Sequence, residues 1–195
     1  IVVRGKRSDL NFNSFEAFFR KHSHLDFTAL TDSEDLDEYL DSIQNTPYYG
    51  PLKDLKDQEQ LCVDKYTKYS NDACSQELKD LFCSIAKVEQ NHYNTISAML
   101  NGTVPSVPSG PLKNENNGWC KKIQYADQQS ADIDKFLASD MLSTEKHVSS
   151  LYDVSVFEFG DPNARKVLNH IQAEEQQHGE QLYTFLACNG FYQGK

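Results

Sequence analysis

Six residues able to hold metal recur at one spacing in the two halves of the chain. Glu59, Glu89 and His92 are followed 86 residues later, without a gap, by Glu145, Glu175 and His178, and Tyr66 and Tyr152 keep the same offset. In each half a lone Glu precedes a Glu-x-x-His pair by 30 residues. Four carboxylates and two imidazoles form an oxygen and nitrogen donor set that divalent first-row ions accept. Two divalent ions would balance the four Glu charges, and neutral His would complete the shell. A lone Glu-x-x-His is more often surface charge on an ordinary helix. Two such pairs and two lone Glu residues in one register point instead to an internal repeat carrying a two-ion site.

Helices are the elements that can position this set, because residues three and four apart share one helix face. Ile85, Glu89, His92, Ile96 and Met99 fall on one stripe, and Ile171, Glu175, His178, Leu182 and Phe185 fall on another. The lone-Glu segments behave alike, with Leu55, Glu59, Cys62, Tyr66 and Tyr69 in the first and Met141, Glu145, Val148 and Tyr152 in the second. Polar groups inside an apolar stripe face a core. No Lys or Arg lies on these stripes. The buried carboxylates therefore need protons or cations to offset their desolvation. Tyr66 and Tyr152 lie two turns after their Glu, where a hydroxyl can bond a ligand carboxylate and orient it. The alternative for each is a buried aromatic whose hydroxyl is satisfied elsewhere.

Punctuation predicts four long helices. Gly50-Pro51 opens the first, Ser75 caps the second, and Asn101-Gly102 ends it. The third is expected from about Ser130 to Gly160, and the fourth from the Asp161 cap and Pro162 to Asn189-Gly190. Residues 101 to 130 hold Pro105, Pro108, Gly110, Pro111 and Gly118. That stretch is too long and broken for a tight turn and suits a crossover along a four-helix bundle.

The ligand set resembles that of the ferritin-like di-iron and di-manganese carboxylate proteins, rubrerythrins and manganese catalases among them. That resemblance implies an all-α ferritin-like four-helix bundle with a long crossover between helices 2 and 3. It also implies that Glu89 and Glu175 bridge two iron or manganese ions as the catalytic carboxylates, while Glu59 with His92 and Glu145 with His178 complete the shells. Peroxide disproportionation or dioxygen activation is the chemistry to expect of such a pair. The wording from LKDLKDQEQLCVDKY to VEQNHYNTISAMLNG, and from DMLSTEKHVSSLYDVSVFEFGDPNARKVLNHIQAEEQQH to NGFYQGK, is similar to the spore coat F family over about residues 50 to 195. This second resemblance implies a protein of the bacterial endospore coat, made in the mother cell, with other coat proteins as partners and a homo-oligomer as its state. A purely structural coat component with a stabilising or vestigial site is the alternative.

Composition narrows the choice further. The 195 residues fit one bundle, residues 51–195, behind an N-terminal extension, residues 1–50. A net charge of −10 disfavours nucleic acid and anionic membrane as partners. No apolar run is long enough to insert in a membrane, and no secretory signal is read ahead of the fold. The five cysteines, at 62, 74, 83, 120 and 188, contain no C-x-x-C pair, so a zinc knuckle or rubredoxin centre is not expected. Reduced thiols are the expectation for cytosolic synthesis. Cys62, one turn from Glu59, reads as a small core residue, and His22, His24, His147 and His170 read as surface or helix-flank residues. In the extension, Asn13 with Glu16 and Thr31 with Glu34 have capping-box spacing. Two short helices are expected there, folded onto the bundle or a dimer mate.

Overall fold

A computed structural model describes residues 49–107 and 120–192. Those residues form four α-helices and one short 3₁₀ turn, with no strand among them. Helix α1 spans Tyr49–Asp72, α2 Gln76–Leu100, α3 Gln128–Ser155 and α4 Pro162–Cys188. The expectations for the N-terminal extension up to residue 48, and for the middle of the 101–130 connection at 108–119, lie outside the described residues.

Each helix is amphipathic at the spacing its sequence predicts. In α1, Leu52, Leu55, Glu59, Cys62 and Tyr66 are buried and Tyr69 is half-buried. The buried stripes of α2, α3 and α4 likewise carry Glu89 and His92, Glu145, and Glu175 and His178 among Leu, Ile, Val and Phe side chains. The four stripes meet in one apolar core, and among the described residues no helix is long and apolar enough to cross a membrane.

Capping chemistry sets the boundaries. The Ser75 hydroxyl accepts from Leu78 N at the start of α2, and Asp161 accepts from Asn163 N ahead of Pro162 at the start of α4. Helices α2 and α4 both end on a glycine with positive φ, Gly102 at 79° and Gly190 at 73°. At each end two bonds close the Schellman pattern: Gly102 N to Met99 O with Thr103 N to Ala98 O, and Gly190 N to Ala187 O with Phe191 N to Leu186 O. Helix α3 departs from expectation at both ends. Asp127 caps it by accepting from Ser130 N at 2.8 Å, so Ser130 lies in its first turn rather than at its start. Its α-helical part stops at Ser155 rather than Gly160 and tightens into a 3₁₀ turn over Val156–Glu158. Val154 and Val156 are weak helix formers there, and the last turn of a helix is prone to this tightening.

The cross-helix bonds fix direction. Tyr66 of α1 bonds Glu145 of α3, Tyr69 bonds Asp140 and Cys74 N bonds Asp134. Ascending positions on α1 thus meet descending positions on α3, and the two helices are antiparallel. Between α2 and α4, His92 meets Glu175 while His178 meets Glu89, so that pair is antiparallel as well. Asp134, buried near the start of α3, accepts from Cys74 N, Ser75 N, the Ser75 hydroxyl and the Tyr125 hydroxyl. It holds the α1–α2 turn against the first turns of α3.

Cys120 and Cys188 form a disulfide with 5.4 Å between their Cα atoms, contrary to the expectation of five reduced thiols. The returning chain is already laid along the end of α4. Ile123 N donates to Asn189 Oδ1 at 2.8 Å, and Asn189 Nδ2 donates to Lys121 O at 3.2 Å. Cys62, Cys74 and Cys83 are free thiols, and Cys62 is buried as expected.

Candidate metal centre

Each of the four helices brings one carboxylate ligand to the middle of the core, and α2 and α4 each add a histidine three residues on. All six residues named from the sequence come together. Ligand atoms of Glu59, Glu89, His92 and Glu175 lie within 4.8 Å of one another, as do those of Glu89, Glu145, Glu175 and His178. Either group could hold a metal ion, and Glu89 and Glu175 belong to both. Cys62 belongs to neither group.

The arrangement is nearly symmetric. His92 Nδ1 is 2.9 Å from Glu175 Oε1 and 3.6 Å from Glu59 Oε2. His178 Nδ1 is 2.9 Å from Glu89 Oε1 and 3.6 Å from Glu145 Oε2. The two imidazole rings lie 5.8 Å apart at 28°. The short approaches are not hydrogen bonds. Among the described residues nine buried side-chain polar atoms have no hydrogen-bond partner, and all but Ser97 Oγ belong to this cluster. They are Glu59 Oε2, Glu145 Oε2, both oxygens of Glu89 and of Glu175, and Nδ1 of His92 and His178. Buried polar atoms are almost always paired, so eight orphans in one place form a donor set without an acceptor among the protein's own groups. A divalent cation is the partner that such a set fits.

Three further atoms of the set are anchored from outside. The Tyr66 hydroxyl donates to Glu145 Oε1 and the Tyr152 hydroxyl to Glu59 Oε1. These bonds cross between helices: each tyrosine holds the lone Glu of the opposite half, not the one two turns before it on its own helix. His92 Nε2 lies 3.0 Å from Glu174 Oε2. A proton donated there leaves the Nδ1 lone pair directed inward, the form a metal ligand requires. Glu174 was not foreseen, since it stands one position off the stripe. The general need of a ligating imidazole for an outer partner is the signal that could have found it. His147 is exposed and His170 half-buried, the latter with Nε2 3.6 Å from Glu174, in keeping with their flank positions.

Without a cation the cluster is under electrostatic tension. Burial pushes the Glu59 carboxyl up to about 7 although His92 pulls against it. Burial, with the charges of Glu89 and Glu145, raises Glu175 well above the usual carboxylate range. Burial also acts to raise Glu89, but the two histidines outweigh it and hold Glu89 low. Burial would depress His178, yet the adjacent Glu145 and Glu89 carboxylates raise it to about 9, and His92 is raised well above its ordinary value by its carboxylate neighbours. Burial thus favours a proton on Glu59 and Glu175 and the carboxylates favour one on each imidazole, charge that a divalent cation would offset instead.

No curated protein and no solved structure matches the chain. Residues 133–194 match the family model of the Coat F domain. The match covers α4 and nearly all of α3, with Glu145, Tyr152, Glu175 and His178 inside it. It is shorter than the resemblance over 50 to 195 that the wording suggested. This second helical pair thus matches the Coat F domain, which supports a likeness of that part of the chain to the spore coat F family.

Proposed function

We propose that this spore coat protein is a ferritin-like bundle that binds two divalent ions, iron or manganese, and consumes peroxide or dioxygen. The observation that carries the reading is the set of eight unpartnered donor atoms in two overlapping groups. The directions of the helices support the bundle assignment. The first turns of α2 and α3 share one end through Ser75 and Asp134, so the end of α2 and the start of α3 stand at opposite ends, about 37 Å apart at 1.5 Å per residue. A crossover there gives the ferritin-like arrangement.

Glu89 and Glu175 belong to both groups and would be shared by the two ions. Glu59 with His92 and Glu145 with His178 complete the two shells. Two such ions supply a shared two-electron redox change when bound. The chain's own part is positional. Tyr66 and Tyr152 lock the lone carboxylates, Glu174 sets the His92 tautomer, and the apolar stripes keep bulk water from the centre. Other coat proteins and further copies of the chain are the proposed partners; the charge of −10 turns away nucleic acid and anionic lipid.

The Coat F match supports a second reading, in which the protein is a structural coat component and metal only stabilises the fold. Protein loaded with iron or manganese separates the two. Peroxide consumption, or an optical change on exposure to oxygen, that is lost in Glu89→Ala/Glu175→Ala while coat assembly persists supports the oxidoreductase. Fully loaded protein inert to both oxidants, with assembly lost in the double variant, supports the structural role.

A further inference from the structure

The two halves share their ligands but differ where the site approaches solvent. A cavity of about 310 Å³ opens between α3 and α4 and ends on Glu145 and Glu175, with Ser149, Gly179, Tyr183 and Tyr192 along its walls. The two carboxylates at its inner end are only 1% and 0% exposed, so the last step to them is narrow.

Gly179 lies in the middle of α4, one residue after His178. Its φ is not positive, and a Cβ there would meet only Leu142 Cδ1 at 3.8 Å and Glu145 Cβ at 3.9 Å. Neither backbone conformation nor close approach requires glycine, and what the missing side chain leaves is room. The offset of 86 places Tyr93 at the matching position of α2, and Lys56 of α1 matches Leu142. Those two side chains meet, with Lys56 Nζ 5.4 Å from the centre of the Tyr93 ring. Where α3 and α4 leave an opening beside a glycine, the corresponding place on α1 and α2 carries the Tyr93 ring with Lys56 over it. The ligands are further unequal in that Glu174 backs His92, whereas the position matching Glu174 beside the other histidine is Val88.

We infer that the centre is entered from the α3–α4 face past Gly179, and that an exogenous ligand reaches the ion held by Glu145 and His178 in preference to the one held by Glu59 and His92. The inference rests on the two-ion reading above. The ligand class follows from the shape of the route. The outer cavity has the volume of about ten waters, at roughly 30 Å³ each. With the two carboxylates at its inner end almost wholly buried, the route suits a small molecule with a lone pair to donate, the class of hydrogen peroxide, dioxygen and small anions such as azide. Lys146 also lines the cavity and is its one cationic side chain, beside the carboxylates at the end.

The test uses iron-loaded full-length protein, with iron counted by mass spectrometry and sodium azide titrated as the probe through its charge-transfer absorption. Gly179→Tyr copies the Tyr93 plug into the opening, and Ser149→Phe narrows the same cavity from α3. Each is expected to weaken azide binding about tenfold or more with iron content unchanged, while Tyr93→Gly leaves it within about twofold. If Gly179→Tyr does not fold, Ser149→Phe carries the result alone. Unchanged azide affinity in a fully loaded occluding variant, or an equal loss in Tyr93→Gly, overturns the route. Wild-type protein that takes up no iron overturns the two-ion reading beneath it, and the iron count tells the two failures apart.

Discussion

Replacing Glu59 with Gln should move stability in opposite directions with and without metal. Burial raises this carboxyl from 4.5 to about 7. A carboxyl with a raised pKa is bound to its proton more tightly in the folded chain, so its stabilising contribution is complete below 4.5 and lost as pH rises through 7. At about 1.36 kcal/mol per pKa unit, ionised Glu59 costs the metal-free fold about 3 kcal/mol above pH 8. Gln has the same shape without the charge, and its Oε1 can still accept the Tyr152 hydroxyl that now bonds Glu59. Allowing for the lost attraction to His92, Glu59→Gln in chelator at pH 8 should gain about 2 kcal/mol, or about 4–8 °C in Tm for a chain of this size. With metal present the same change removes a ligand. A hundredfold loss of affinity would subtract about 2.7 kcal/mol under ligand excess. Differential scanning calorimetry of both proteins, with EDTA and with manganese, reads the crossing. A variant less stable than wild type by the same amount in both conditions would refute the charge argument.

Three further outcomes follow from the same geometry. The Tm difference between metal-loaded and metal-free protein should widen from pH 6 to pH 9. Over that range Glu59, at about 7, and His178, at about 9, release protons that compete with the ions, and the metal-free fold loses the contribution of both; a gap that stays flat or narrows would contradict the cluster's titration. Cys188→Ser opens a bridge with a sequence separation of 68 residues and should lower stability by about 2–4 kcal/mol in non-reducing urea unfolding. No change would mean that the bridge does not constrain the unfolded chain. Gly179→Ala should raise stability by about 0.5–1 kcal/mol, since its Cβ would make ordinary contacts and a mid-helix glycine is unfavourable; a thermal scan showing a loss would mean that this position needs the close approach.

Local signals carried much of the fold and of the site. Ser75, Asp161, Pro162, Gly102 and Gly190 mark helix ends through bonds to residues two to five positions away, which a sequence displays directly. The six donors were readable because helical period and a repeat of 86 residues constrain each other. What escaped depends on neighbours distant in sequence. Asp134 gathers its donors from Cys74, Ser75 and Tyr125. Tyr66 and Tyr152 bond across 79 and 93 residues to the opposite lone Glu, and Cys120 finds Cys188 only once the connection has returned to the end of α4. The start of α3 was misread by a few residues because Asp127 and Ser130 are both good caps, and the choice between them lies in a single hydrogen bond.

Metal content by inductively coupled plasma mass spectrometry, on protein purified without chelator beside a Glu89→Ala/Glu175→Ala control, tests the two-ion centre most directly. Two equivalents of iron or manganese per chain, absent from the folded control, are the predicted result. Folded wild-type protein that holds neither ion, even after loading, would contradict it.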